Sequence, residues 1–124
     1  MTVQFLHTKL RVRSLDAAVA FYQAAFGYEL RSRRPGPGTS EIAFLTLAGQ
    51  AAELQLAQDV DDLPVPLGLV HLAFKVEDLE ASLAAAQAAG AALVSGPYEL
   101  PSGSRVAFLR DLDGYDLELV KKKG

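Results

Sequence analysis

An α+β fold of two tandem βαβββ modules is predicted by three features of this 124-residue chain. The first is an internal repeat. His7-Thr8-Lys9-Leu10-Arg11-Val12 lies over His71-Leu72-Ala73-Phe74-Lys75-Val76 at an offset of 64 residues (7 to 71), and Ile42-Ala43-Phe44-Leu45 lies over Val106-Ala107-Phe108-Leu109 at the same offset. The second is period-two alternation at the start of each half, the pattern of a strand whose side chains point alternately to two faces. The third is a helix grammar of cap, apolar stripe and glycine stop that follows in both halves.

The elements can be justified in order. Residues 5–13 alternate as a strand, with His7, Lys9 and Arg11 on one face and Leu6, Thr8, Leu10 and Val12 on the other. Ser14 can accept a hydrogen bond from the first helical turn, Leu15, Val19, Tyr22 and Phe26 form the stripe, and Gly27 supplies the stop. Three strand-like runs follow at about 28–33, 41–47 and 51–58. Arg33 to Ser40, with two prolines and two glycines, reads as an exposed, mobile loop. The stretch 59–68, with Pro64 and Pro66, reads as the linker between repeat 1 (about 5–58) and repeat 2 (about 69–121) of one domain. The second half repeats the grammar. His71, Ala73 and Lys75 share a face, Asp78 caps, Leu79, Leu83 and Ala86 form the stripe, and Gly90 stops the helix. Runs at about 91–95, 104–110 and 115–121 complete the module, the last two joined by a turn at Asp111-Leu112-Asp113-Gly114 where glycine can take a positive φ.

Composition narrows the function classes. Half of the residues are apolar, enough for an ordinary core, and the formal charge of −3 lacks the basic field of a general nucleic-acid binder. Lys121-Lys122-Lys123 reads as a solvated basic end. There is no cysteine, which removes disulfides, a thiolate nucleophile and Cys-ligated zinc. No stretch has the pattern of a secretory signal, and no apolar run approaches the ~20 residues needed to span a bilayer. A cytoplasmic protein without membrane or nucleic-acid partners is expected.

The chemistry-bearing residues follow the repeat. The two histidines open equivalent strands. Glu53 in Glu53-Leu54-Gln55-Leu56 and Glu118 in Glu118-Leu119-Val120 both lie on the last strand of their half, 65 residues apart (53 to 118). A one-residue insertion in the turn around 111–114 would make them equivalent as well. Two imidazoles and two carboxylates form a mixed N/O donor set suited to one divalent ion such as Zn²⁺, Ni²⁺, Co²⁺ or Mn²⁺. Gln55 points the same way as Glu53 and is its local competitor.

These residues carry a resemblance. His7-Thr8-Lys9-Leu10-Arg11-Val12, Leu15 to Tyr22 with Gly27, Glu53-Leu54, His71-Leu72-Ala73 and Ala107-Phe108 through Leu119 are similar to the vicinal oxygen chelate superfamily. Within that superfamily the chain most resembles glyoxalase I (lactoylglutathione lyase) of the small bacterial type. The resemblance implies βαβββ modules curled into open, eight-stranded barrel-like clefts, and a homodimer in which each subunit gives two ligands to each site. It implies His7, Glu53, His71 and Glu118 as metal ligands and isomerisation of a methylglyoxal–glutathione hemithioacetal through an enediolate. Glu118, with Glu53 second, would move the proton, and glutathione or another thiol would be the co-substrate. Arg11 matches an arginine used toward glutathione, and Arg105 could hold an anionic group. Two places depart from the glutathione-binding pattern. Ala57 stands where an asparagine helps to hold glutathione, and the 97–105 segment lacks the usual lysine- and glycine-rich stretch. Lys9 also replaces an apolar residue.

Other members of the superfamily define the alternatives. An acyl-CoA epimerase would use the same enolate chemistry. A metal-free drug-sequestering dimer of the bleomycin-resistance type would lack the ligand set. A fosfomycin-type thiol transferase or a ring-cleaving dioxygenase would use three protein ligands.

Overall fold

The computed structural model describes residues 2, 4–36, 40–58 and 71–123. Their order is β1 (His7–Arg11), α1 (Leu15–Phe26), β2 (Glu29–Pro35), β3 (Glu41–Thr46), β4 (Glu53–Gln58), β5 (His71–Lys75), α2 (Leu79–Ala88), β6 (Ala92–Glu99), β7 (Arg105–Arg110) and β8 (Asp116–Lys121). Each half is therefore βαβββ, as the repeat predicts. The strands form two four-stranded mixed sheets, β1-β4-β3-β2 and β5-β8-β7-β6. In each, the first and last strands of the half pair in parallel and the rest pair antiparallel. The chain divides into two compact units, one carrying β1–β4 and the other β5–β8 together with Ala24–Phe26.

Both helices start where the sequence places their caps. The Ser14 hydroxyl accepts from the Ala17 N–H at 3.2 Å, and the Asp78 carboxylate accepts from the Ala81 N–H at 3.0 Å. Each bond satisfies one of the donors that a helix N-terminus leaves open. At the other end of α1, Gly27 takes a left-handed φ of 75° and its N–H closes onto the Gln23 carbonyl, a conformation costly for a residue with a Cβ. Gly90, just past α2, has a φ of 117°, and a Cβ there would come within 2.8 Å of Leu112.

Burial explains why the strands alternate. In the first unit Leu10, Leu45, Leu54 and Leu56 lie on one sheet face with at most 3 % of their surface exposed, and Leu15 and Tyr22 of α1 join that core. In the second unit Leu109, Leu117 and Leu119 do the same, with Leu79 from α2. A leucine removed from water in this way contributes roughly 1.5–3 kcal/mol. The opposite face of the first sheet carries His7, Lys9 and Arg11 of β1 beside Glu53, Gln55 and Ala57 of β4, a consequence of strict period-two geometry. We call this the histidine face.

Three boundaries differ from the sequence reading. β1 is shorter than 5–13. β2 continues through Pro35, so Arg33 to Pro35 is strand rather than loop. Pairing with Glu41 to Ala43 extends the ladder, and the Arg33 guanidinium bonds both Asp16 and Glu41. β6 runs to Glu99 rather than 95, because two register shifts let it stay paired with β7. The tip at 37–39 and the expected linker 59–68 lie outside the described residues. The 111–114 turn is as expected. The Asp111 carboxylate accepts from the N–H groups of Asp113 and Tyr115 at 2.9 Å each, and Gly114 takes a φ of 92°.

Candidate functional site

The first histidine and the first glutamate are ladder neighbours. His7 opens β1, Glu53 opens β4, and the parallel register sets them directly opposite each other on the histidine face. The pairing is fixed locally, since the Glu53 N–H donates to the Leu6 carbonyl at 2.9 Å. In the second unit His71 opens β5 and lies opposite Asp116, while Glu118 lies opposite Ala73, one side-chain step further along the same face.

This register corrects the equivalence of the two glutamates. Leu45 pairs with Leu54 across eight intervening residues (46–53), whereas Leu109 pairs with Leu117 across seven (110–116). The second turn is shorter by one residue, where an insertion was expected. The position equivalent to Glu118 is therefore Gln55, since Phe44 pairs with Gln55 and Phe108 with Glu118. The counterpart of Glu53 is Asp116, since each faces the histidine of its own half. Asp116 escaped the sequence reading because a fixed offset says nothing about turn length.

Each of these histidine-opposed acids is held by an arginine. The Glu53 carboxylate is gripped by the Arg31 guanidinium through Nε and, at 3.0 Å, through Nη2. Asp116 accepts from Arg110 Nε at 3.2 Å. Hydrogen bonding to Glu53 holds Arg31 in its charged form, above the usual arginine range. A register shift between Leu30 and Ser32 accounts for the reach of Arg31. An extra residue at a β-bulge turns its side chain out of strict alternation. The guanidinium of Arg31 sits 5.1 Å from the centre of the Phe44 ring, that of Arg34 sits 5.6 Å from it, and the His7 ring meets Phe44 edge-on at 5.6 Å. Both arginine distances fall within the range of a cation–π contact. Neither arginine was singled out from sequence, because Arg31 looked like an ordinary strand residue and Arg34 like part of a loop.

The remaining candidates are placed as follows. Arg11 ends β1 on the histidine face opposite Ala57, and Lys9 shares that face opposite Gln55. Arg105 opens β7, where its Nη2 lies 2.6 Å from the Glu80 carboxylate in the first turn of α2. Its partner is thus a helix residue. Among the described residues, no three His, Asp or Glu side chains are grouped so as to hold a metal ion. In kind the donors do fit one. Each unit sets an imidazole and a carboxylate on adjacent strands with their side chains to the same face, and neutral nitrogen with anionic oxygen is a donor set for a borderline divalent ion. No helix among the described residues is long and apolar enough to cross a membrane.

Comparison with known proteins gives a consistent answer. The lactoylglutathione lyase of Haemophilus influenzae is 34 % identical over 127 residues, covering 98 % of this chain and 94 % of its own. Among solved structures, a glyoxalase family protein from Bacillus cereus superimposes with a TM-score of 0.85 at 21 % identity, covering 100 % of this chain and 97 % of that one, and supports the fold alone. TnmS3, an antibiotic binding protein from Streptomyces sp. CB03234, gives a TM-score of 0.78 at 26 % identity over 98 % of both chains. The family model "Glyoxalase/Bleomycin resistance protein/Dioxygenase superfamily" matches residues 4–119. With nearly the whole chain matched and both sheets in place, the protein belongs to the glyoxalase/bleomycin resistance protein/dioxygenase superfamily.

Proposed function

We propose that the protein is a metal-dependent, cytoplasmic lyase of the glyoxalase I type, acting on the thiol adduct of an α-oxo aldehyde. The observation that carries this reading is an imidazole and a carboxylate on one sheet face in each unit, His7 opposite Glu53 and His71 one side-chain step from Glu118, in a chain similar along its length to lactoylglutathione lyases. The four side chains would hold one divalent ion, Ni²⁺, Zn²⁺, Co²⁺ or Mn²⁺, two from each subunit of a homodimer. The ion would act as a Lewis acid that makes the substrate C–H more acidic.

The residues divide the remaining work. Glu118 is the general base of the reading. Its carboxylate makes no ion pair among the described residues, so it can take and return a proton. Glu53 is held by Arg31, a contact that a bound ion would have to displace. Arg11 lies on the same face for the thiol moiety, glutathione or another thiol. Arg105 is paired with Glu80, an exposed contact that an anionic substrate group would displace to use it.

The test pairs metal stoichiometry with turnover of methylglyoxal plus glutathione. One ion per site and turnover that falls at least a hundredfold in Glu118→Gln are expected. Fewer than about 0.1 ion per chain after reconstitution, or unchanged turnover in the variant, would discard the reading. A ligand-sequestering role without metal is the second reading. The Arg31–Glu53 pair favours it, because a guanidinium already neutralises a proposed ligand. The same metal measurement separates the two.

A further inference from the structure

The histidine face of the first sheet carries a cationic, aromatic ledge beside the His7–Glu53 pair. Phe44 is its floor, buried to 8 % exposure in a cluster with Ile42 and Ala57. Arg31 and Arg34 lie against the ring from β2, and His7 touches its edge. Arg31 is committed to Glu53, whereas Arg34 makes no ion pair among the described residues.

The second repeat shows that the fold does not require this charge. Ser95 pairs with Phe108 as Ser32 pairs with Phe44, so Val94 stands at the place of Arg31. Tyr98 pairs with Val106 as Arg34 pairs with Ile42. The two positions that are arginine in the first half are therefore apolar or neutral in the second. A guanidinium with no ion pair among the described residues, on an aromatic ring that His7 also touches, is suited to a planar or apolar fragment ending in an anion.

We propose that Arg34, against the Phe44 ring, selects a reacting fragment that is itself anionic, so that the preferred substrate is the thiol adduct of an α-oxo aldehyde bearing a carboxylate. This rests on the glyoxalase reading for the chemistry and adds the identity of the aldehyde half. The placement argues for that half, because the ledge touches His7 and Glu53 directly. Arg34 is a specificity-determining residue and takes no part in proton transfer.

The experiment has a turnover arm and a binding arm. In the first, 4,5-dioxopentanoate and methylglyoxal are compared as aldehydes with the same thiol, in wild type and Arg34→Gln. Wild type is expected to favour the carboxylated aldehyde at least tenfold in kcat/KM. The variant is expected to lose about tenfold for that aldehyde, mostly in KM, and several-fold less for methylglyoxal. No preference in wild type, or equal losses for both aldehydes, overturns the proposal. In the second arm the unreactive 4-oxopentanoate is titrated into metal-free protein and followed by NMR at Phe44. Saturable shifts that weaken with added NaCl and about tenfold in Arg34→Gln are expected. Absent binding, or equal binding by the variant, overturns the proposal whatever the turnover. Intact, Arg34-dependent binding without turnover of either aldehyde would instead discard the glyoxalase reading and leave the anion site standing.

Discussion

Glu53 and Glu118 are the same residue type on the last strand of their repeats, yet their surroundings differ. Glu53 has both oxygens engaged by Arg31, and Glu118 faces Ala73 and Phe108. A metal that claims Glu53 must displace a guanidinium from an exposed ion pair, a modest obstacle in water. Arg31→Gln should therefore bind a divalent ion more tightly, on the order of fivefold, by calorimetric titration. Weaker binding would mean that Arg31 supports the ligand instead of competing with it. The sequence named both glutamates, but it held no signal for this distinction. The partner of Glu53 comes from another strand and reaches it through a bulge.

At the scale of elements, capping was legible because it is local. Ser14 and Asp78 each stand three residues before the N–H they accept from, and the structure contains both bonds. Ser14→Ala or Asp78→Ala should each cost about 1 kcal/mol in urea unfolding. The start of α2 also carries a tertiary ion pair. Hydrogen bonding to Arg105 holds the Glu80 carboxyl below the usual carboxylate range. A depressed native pKa means that the pair's contribution is fully present above the ordinary glutamate pKa, and is lost as pH falls through the lowered one. A carboxyl-carbon NMR titration should show the Glu80 midpoint rising to the ordinary range in Arg105→Gln. An unmoved midpoint would assign the depression to the helix N-terminus instead. The strand ends were less legible. β2 persists to Pro35 because of a partner strand and two carboxylates on Arg33, none of which a proline- and glycine-rich stretch reveals.

For the whole molecule, the duplication makes a sharp experiment possible. If each site draws His7 and Glu53 from one subunit and His71 and Glu118 from its partner, then His7→Ala and His71→Ala are each inactive alone. Mixed and allowed to exchange, they should regain about a quarter of wild-type turnover, since half the dimers then hold one intact site. No recovery despite proven exchange would place all four ligands within one chain.

The sequence by itself determined the two βαβββ modules and their N-caps, because these repeat or follow from local periodicity, and its motifs carried the resemblance to the family. Only the tertiary structure decided the register. A turn one residue shorter in the second half moved Asp116 opposite His71 and aligned Glu118 with Gln55. It also decided which cations reach the site, since a bulge and a lengthened β2 bring Arg31 and Arg34 onto Phe44. The physical reason is the same in both cases. Period-two patterns set the face of a side chain, while its neighbours across the ladder depend on turn lengths and bulges that only the paired strands fix.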